Sequence, residues 1–324
     1  MPDLFTATAP DGTRLPVIDV TNPAFAVPDT DAEIAALGVA ALHEEARRGP
    51  LQRLVLRLML RRLARASRLV GALQAARSGF LGGLATYVMK LGPDNLVPPY
   101  DTEIDRQVLR SPQATSMRIR LHQVAHLLAE ALAPALAAAP GAPLHIVEIA
   151  GGPSADALNA LLLLEREGRL AGRRVRIDIY DVDADGPAFA ASLLEALHAG
   201  PLRGRDIATT HVPGNWADTA RLAALLDGIP AEAVIAATSE GGLFEYGSDA
   251  DIAGVLGTLA PRVGIVTGSV TRDDRLNRLL GRMNTVRLVP RGLARFGALI
   301  APSGYGVVRS RPSPLSDQVV LAKS

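Results

Sequence analysis

An acidic residue and two adjacent glycines stand at the end of a short apolar run, in the sequence LHIVEIAGGPSAD at 144–156. The apolar run predicts a buried strand, the glycines predict a tight turn, and the helical pattern that follows predicts a helix N-terminus. A glycine turn lets a ligand approach the backbone closely, and a helix start offers free N–H groups with a partial positive charge. The motif therefore predicts a ligand-binding loop that contains Glu148, Ala150, Gly151 and Gly152.

Acidic and aromatic residues follow the next two predicted strands. Asp181 ends an alternating strand, with Asp183 close behind, and a carboxylate at this position can accept hydrogen bonds from both hydroxyls of a ribose. In the later sequence HVPGNWAD, Asn215 offers a donor and an acceptor that suit the edge of adenine, and Trp216 offers a ring for stacking. Helix capping by the acids and packing of the tryptophan in the core are the simpler interpretations.

The sequence TSEGGLFEYGSD at 238–249 follows the fourth predicted strand and places polar groups at the mouth of the sheet, where ligands of such folds bind. Its candidates are Ser239, Glu240, Phe244, Glu245 and Tyr246. A carboxylate here can position a nucleophile or complement a cation, and a solvated loop acid is the alternative.

These loops need a framework of alternating strands and helices. Strands are predicted at 144–150, 175–181, 207–213, 233–238 and 263–269, with helices between them. This alternation is typical of a parallel, doubly wound α/β sheet. Near the C-terminus, GYGVVRSRP and DQVVLAKS are separated by only a few residues. Because so short a link cannot hold a crossover helix, it predicts that the two strands form an antiparallel hairpin.

The N-terminal part is predicted to be mainly helical. Residues 1–30 are expected to form an extended arm, and residues 31–140 a helical domain that ends in an alanine-rich stretch. Within it, the segment 51–78 places apolar residues on one helix face and arginines on the other. We interpret this segment as an ordinary surface helix with a solvated basic face; an anionic or membrane-surface contact is the alternative.

Composition limits the classes of function. With 324 residues, of which 48% are apolar and 21% charged, the chain can bury a substantial core. A net charge of +1 does not indicate a nucleic-acid partner. The lack of cysteine excludes disulfides and thiolate chemistry and fits a reducing compartment. The N-terminus lacks the features of a signal peptide and no apolar run is long enough to span a bilayer, so we expect a cytoplasmic protein without a membrane partner.

Taken together, in this order and with the closing hairpin, these motifs resemble the class I S-adenosylmethionine-dependent methyltransferases. In that family the first motif runs acid-x-Gly-x-Gly-x-Gly. Glu148, Gly151 and Gly152 fit it, whereas Ala150 and Ser154 stand where glycines are expected. The resemblance implies a Rossmann-like seven-stranded sheet whose last strand is antiparallel and inserted between strands five and six, preceded by a helical cap.

The resemblance covers about residues 140–324 and implies S-adenosylmethionine as cofactor, bound by a domain at 141–324, and a small molecule as acceptor. The residues that it assigns to the cofactor are Glu148, Ala150, Gly151, Gly152, Asp181, Asn215, Trp216 and Ser239. Arg118 and Arg120 can hold the carboxylate of the donor or an acidic substrate.

Methyl transfer from an activated sulfonium donor needs mainly alignment and desolvation, and a base only where the acceptor must lose a proton. The candidate catalytic residues are Glu240, His122 and Tyr246. His122 and His126 share a helix face, but the glutamate of a metalloprotease pattern is missing between them, so no metal is expected.

Two other functions stay open at this point. The turn also satisfies a relaxed dinucleotide fingerprint through Ala150, Gly152 and Ala155, which a NAD(P)-dependent oxidoreductase would use. The altered glycine positions are compatible with a non-catalytic, methyltransferase-like binding protein. The identity of the acceptor and the oligomeric state are not fixed by the sequence, and a homodimer is one option.

Overall fold

A strand pair and six α-helices form most of the first part of the chain in the computed structural model, which describes residues 4–76, 80–281 and 288–323. The elements are β1 (Thr6–Thr8), β2 (Arg14–Pro16), α1 (Asp31–Arg47), α2 (Pro50–Leu63), α3 (Arg68–Ala75), α4 (Gly83–Leu91), α5 (Glu103–Leu109) and α6 (Pro112–Ala138). α1 begins with a capping box, in which Thr30 and Glu33 bond to each other's backbone N–H. α6 begins with Ser111 as its cap and a proline at its first position, where no N–H is required.

From residue 144 onwards strands and helices alternate as the sequence predicts. The elements are β3 (Leu144–Ile149), α7 (Ala155–Arg166), β4 (Arg174–Asp181), α8 (Asp185–His198), β5 (Asp206–Pro213), α9 (Thr219–Asp227), β6 (Val234–Ser239), α10 (Leu243–Tyr246), α11 (Asp249–Leu259), β7 (Ile265–Thr271), α12 (Arg275–Gly281), α13 (Gly292–Ile300), β8 (Tyr305–Pro312) and β9 (Ser316–Lys323).

The strand order is β5-β4-β3-β6-β7-β9-β8, which confirms the predicted seven-stranded sheet. Strands β3 to β7 pair in parallel, and β9 pairs antiparallel with both β7 and β8. The last strand is thus inserted between its two predecessors, and the predicted hairpin is confirmed. The strand order reverses at β3, so the switch point of the sheet lies beside the glycine motif.

Helices cover both faces of the sheet. Ile146 and Ile177 belong to one buried cluster, together with side chains of α6, α7 and α8. Val147 and Val266 belong to a second cluster, with side chains of α11 and α13. Burial on both faces explains why the strands read as nearly continuous apolar runs.

The N-terminal arm is docked by two buried polar side chains. The hydroxyl of Tyr87, on α4, donates to the carbonyl of Pro16 at 2.9 Å and accepts from the N–H of Ile18 at 2.8 Å. Asn159, on α7, accepts from the N–H of Val20 at 2.8 Å and donates to the carbonyl of Ile18 at 3.1 Å. The arm is therefore held by a helix of the N-terminal part and by a helix of the sheet.

One buried cluster includes side chains of the arm, the N-terminal helices and the sheet, with α6 packed against α7 and β9. Boundaries at about 30 and 140 stay predictions, because this core crosses both. Across the three described ranges, no helix is both long and apolar enough to cross a membrane.

We expect Tyr87→Phe to lower the free energy of unfolding by about 1–3 kcal/mol, because a buried carbonyl and a buried N–H lose their partner. Tyr305→Phe is the matched comparison, since that hydroxyl bonds to one carbonyl, of Val263, in the other cluster. Denaturant unfolding at neutral pH measures both. A larger loss for Tyr305→Phe than for Tyr87→Phe would contradict the docking role of Tyr87.

Candidate functional site

The carboxyl ends of β3, β4, β5 and β6 open into a cavity of about 830 Å³, whose remaining walls come largely from α3, α4 and α6. This volume lies within the range of about 300–1,000 Å³ that is usual for small-molecule sites. The predicted site residues that line the cavity are Ala150, Gly151, Gly152, Asp181, Asn215, Trp216, Glu240 and Tyr246.

Glu148 lies beneath the glycine turn and does not line the cavity. The side chain of Glu148 is fully buried. A Cβ added to Gly151 would collide with the carboxylate of Glu148 and would lie only 2.7 Å from the Cβ of Glu148. Burial and the nearby charge of Asp156 raise the pKa of Glu148 well above its ordinary value. The first motif therefore holds a buried neutral acid, and Gly151 is the residue that makes room for it.

The turn is left-handed at three residues. The φ angles are 55° at Ala150, 51° at Gly152 and 57° at Ser154. Glycine adopts this conformation without strain, whereas a side chain costs about 1–2 kcal/mol. Ala150 and Ser154 stand where the family motif has glycines, and the backbone at both positions is indeed in the left-handed conformation that glycine adopts most easily. The turn keeps its shape in spite of the substitutions and stores strain there.

Asp181 joins the turn to the loop after β4. One carboxylate oxygen accepts from the N–H of Gly152 at 2.9 Å, and the other accepts from the N–H of Asp183 at 2.9 Å. Burial raises the pKa of Asp181, although these two N–H groups oppose the shift. Each oxygen has capacity for a further hydrogen bond, so the carboxylate can still receive hydroxyl groups from the cavity.

An aromatic cluster lies at the ends of β5 and β6. The carbonyl of Asn215 accepts from the hydroxyl of Tyr180 at 2.9 Å, which fixes the loop that carries Trp216. Phe80 meets Trp216 and Tyr246 edge to face, with centroid distances of 5.3 Å and 5.2 Å. Phe80 therefore connects the predicted adenine side of the cavity to the loop after β6.

Four charged side chains form a buried network on the cavity wall. Glu240 accepts from the ammonium of Lys90 with one oxygen and from Nε of Arg120 with the other. Nη1 of Arg120 also donates to Glu245 at 2.8 Å. All four residues are more than nine-tenths buried. Because Lys90 is on α4 and Arg120 on α6, the network ties two N-terminal helices to the loop after β6.

The network sets the protonation states on this wall. Burial opposes the charge of Glu240, but Arg120 and Lys90 outweigh it and lower the pKa of that carboxyl. Burial raises the pKa of Glu245, which Arg120 offsets in part. Burial and the charge of Glu245 raise the pKa of Tyr246 well above its ordinary value. Of the two roles predicted for a carboxylate in this loop, complementing a cation is the one that these contacts favour for Glu240.

Besides Glu148, two further predicted site residues lie away from the cavity. The hydroxyl of Ser239 donates to the carbonyl of Ile149 and accepts from the N–H of Leu243, both at 2.8 Å. It therefore links the end of β6 to the end of β3. His122 is half-buried beside the backbone of Phe25, and the loss of water around it lowers the pKa of its imidazole to about 4. His122 faces the arm because α6 turns that side away from the strand ends.

Lys90 and Phe80 are site residues that the sequence reasoning missed. Lys90 stands alone in the apolar run YVMKLG, and a single cation in such a run signals a buried partner. Phe80 carries no comparable signal, because nothing in its local sequence indicates which strand end it reaches. Arg118, grouped with Arg120 in the sequence, instead donates to the carbonyl of Leu109 at 2.8 Å.

Away from the strand ends, much of the cavity wall is aliphatic. The aliphatic side chains are those of Val70, Leu73, Met89, Val108, Met117, Leu280, Leu288 and Leu315, and polar side chains such as Glu45, Arg48 and Gln113 line the cavity as well. Among the residues that the structure describes, no group of three or more histidines, aspartates and glutamates could hold a metal ion. The site thus combines polar groups at the strand termini with aliphatic side chains away from them.

No protein-family model and no curated protein matches the sequence. Among solved structures, the chain is similar to magnesium protoporphyrin IX methyltransferase from Synechocystis PCC 6803 with bound SAH, at 13% identity and a TM-score of 0.45, over 65% of this chain and 87% of that one. It is also similar to an N,N-8-amino-8-demethyl-D-riboflavin dimethyltransferase from Streptomyces davawensis, at 16% identity and a TM-score of 0.41, over 79% and 70%. Because both TM-scores are below 0.5, the fold assignment rests on the strand order and the site on its own geometry.

We expect Gly151→Ala to destabilise the protein by about 1–3 kcal/mol, because the new methyl group overlaps the carboxyl of Glu148. Gly257→Ala is the matched control, since Gly257 lies in α11 with open space around it and alanine favours a helix by about 0.5–1 kcal/mol. Denaturant unfolding measures both variants. Equal stability of Gly151→Ala and the unaltered chain would show that the turn does not pack as described.

Glu148→Gln should stabilise the protein increasingly as the pH rises. The native pKa of Glu148 is raised above 4.5, so the native state binds its proton more tightly and loses stability as the pH rises from 4.5 through the native pKa. Glutamine removes this loss, and the stability difference between variant and unaltered chain should grow by up to about 1.4 kcal/mol per pH unit. Urea unfolding between pH 5 and 8 gives this difference, and curves that run parallel would refute the buried neutral acid.

Proposed function

We propose that this chain, which has the strand order of the class I S-adenosylmethionine-dependent methyltransferases, transfers a methyl group to a small-molecule acceptor. The observation that carries the proposal is a cavity of about 830 Å³ that is lined both by Asp181 and the glycine turn and by aliphatic side chains. A donor and an acceptor can meet there in fixed orientation and away from bulk water.

The residues at the polar end fit S-adenosylmethionine. Asp181 retains capacity to accept hydrogen bonds from ribose hydroxyls, and Trp216 offers a ring to the adenine beside the amide of Asn215. Gly151 and Gly152 put no side chain between the end of β3 and the cavity, so a ligand can approach the backbone there. These are the residues that we assign to the cofactor, together with the backbone of Ala150.

When bound, S-adenosylmethionine supplies a methyl group on a sulfonium centre that is already activated for displacement. The chain's own residues then have to align the two molecules and to exclude water. The Lys90–Glu240–Arg120 network suits this task, because it holds α4 and α6 against the end of β6. Its two cations also offer a partner to a carboxylate of either ligand.

The protonation states favour an acceptor that is already nucleophilic. Glu240 is shared by two cations and has a lowered pKa, so it has little affinity for a further proton. Tyr246 stays neutral because its pKa is raised, so it donates a hydrogen bond more readily than it removes a proton. We therefore assign Glu240 a positioning role and Tyr246 a role in orienting the acceptor, with no step of general base catalysis.

Calorimetry with S-adenosylhomocysteine tests the cofactor site. We expect the unaltered chain to bind it and Asp181→Asn and Trp216→Ala each to bind at least about tenfold more weakly, because a ribose contact or a stacking surface is lost. Asp227→Asn, on the exposed end of α9, is the matched control and should leave the affinity unchanged.

Turnover decides between the alternatives. Formation of S-adenosylhomocysteine from the donor, with a panel of small phenols, carboxylic acids and amines, supports the proposal. Binding of NADH without binding of the donor would identify an oxidoreductase instead. Tight donor binding without turnover of any acceptor would identify a binding protein that retains the fold.

A further inference from the structure

Helix α2 exposes apolar side chains to solvent. Leu51 is 73% exposed, Leu58 55%, Met59 51% and Val55 47%. Their spacing of three and four residues places them on one face of the helix. α2 packs against α3. In an ordinary surface helix the apolar stripe faces the core, so α2 departs from what was expected of the segment 51–78.

The same segment is strongly basic, although the whole chain has a net charge of only +1. From residue 47 to residue 68 the sequence has no aspartate or glutamate and eight arginines, namely Arg47, Arg48, Arg53, Arg57, Arg61, Arg62, Arg65 and Arg68. Those at positions 47, 62, 65 and 68 are exposed. Arg68 pairs with Asp11, and Arg48 pairs with Glu44 and Glu45. An exposed apolar face among clustered cations is typical of a helix that lies in the plane of an anionic bilayer.

Other partners satisfy only one half of this pattern. A nucleic acid would neutralise the arginines but leave Leu51, Val55, Leu58 and Met59 in water. A second copy of the chain could cover the apolar side chains but would bring two arginine clusters together. A bilayer with anionic lipids takes up the apolar side chains and pairs the arginines with its headgroups.

The position of α2 in the chain is consistent with this partner. α3 follows it directly and contributes Val70, Leu73 and Gln74 to the cavity wall. The exposed face of α2 therefore lies next in sequence to residues that line the cavity.

We propose that α2 binds peripherally to the surface of an anionic lipid bilayer through Leu51, Val55, Leu58 and Met59 together with the exposed Arg47, Arg62 and Arg65. This proposal replaces the expectation that the protein has no membrane partner; it concerns a surface contact and involves no spanning helix. It is independent of the methyl transfer proposed above.

Sedimentation with vesicles tests the contact. We expect the full chain to bind vesicles of equal parts phosphatidylglycerol and phosphatidylcholine at least about tenfold more tightly than pure phosphatidylcholine, and to dissociate at about 1 M salt, where the Debye length is only about 3 Å. The double variant Leu51→Glu/Leu58→Glu should bind the mixed vesicles at least about tenfold more weakly. Val308→Glu, at a 61% exposed valine on β8, is the matched control and should bind like the unaltered chain.

Three results would overturn the proposal. The first is equal sedimentation of the double variant and the unaltered chain. The second is a dimer in light scattering that the double variant converts to a monomer, which would assign the apolar face to a second copy. The third is binding to duplex DNA that is as tight as binding to the mixed vesicles. Unfolding curves of the variants show that each is folded, so that weaker binding reports on the surface alone.

Discussion

The burial of Lys90, Arg120, Glu240 and Glu245 is the constraint on which the arrangement of the site depends. Removing an ion from water costs several kcal/mol, and this is offset only when its partners are in place. Two of these residues are on N-terminal helices and two follow β6. The network therefore favours the docking position that completes it, and loss of one member would leave its direct partners buried with less compensation.

Strain accumulates at the same edge of the sheet. Ala150 and Ser154 hold left-handed conformations, and Glu148 keeps an uncharged acid in the core directly beneath them. None of these features stabilises the fold locally, and the apolar clusters on both faces of the sheet have to compensate for them. The concentration of such features around one cavity supports its assignment as the functional site.

The sequence predicted the fold better than the site, for a physical reason. Strand periodicity and glycine turns are local properties, so the alternation, the closing hairpin and the loop residues Asp181 and Trp216 could be recognised from neighbouring positions. The partners of Glu240 lie more than a hundred residues away in sequence, on helices whose docking no local pattern specifies. His122 looked reactive by residue type, and only the orientation of α6 shows that it faces the arm.

The docked arm has a consequence for the order in which the chain becomes native during synthesis. Phe5 packs against Gly200, on the chain just after α8, and Val20 bonds to Asn159 on α7. Both partners leave the ribosome long after the arm does. Although β1 and β2 can pair with each other at once, the arm can make these two contacts only after α7 and α8 have emerged. The N-terminal arm therefore completes its contacts only when a later part of the same fold has been synthesised.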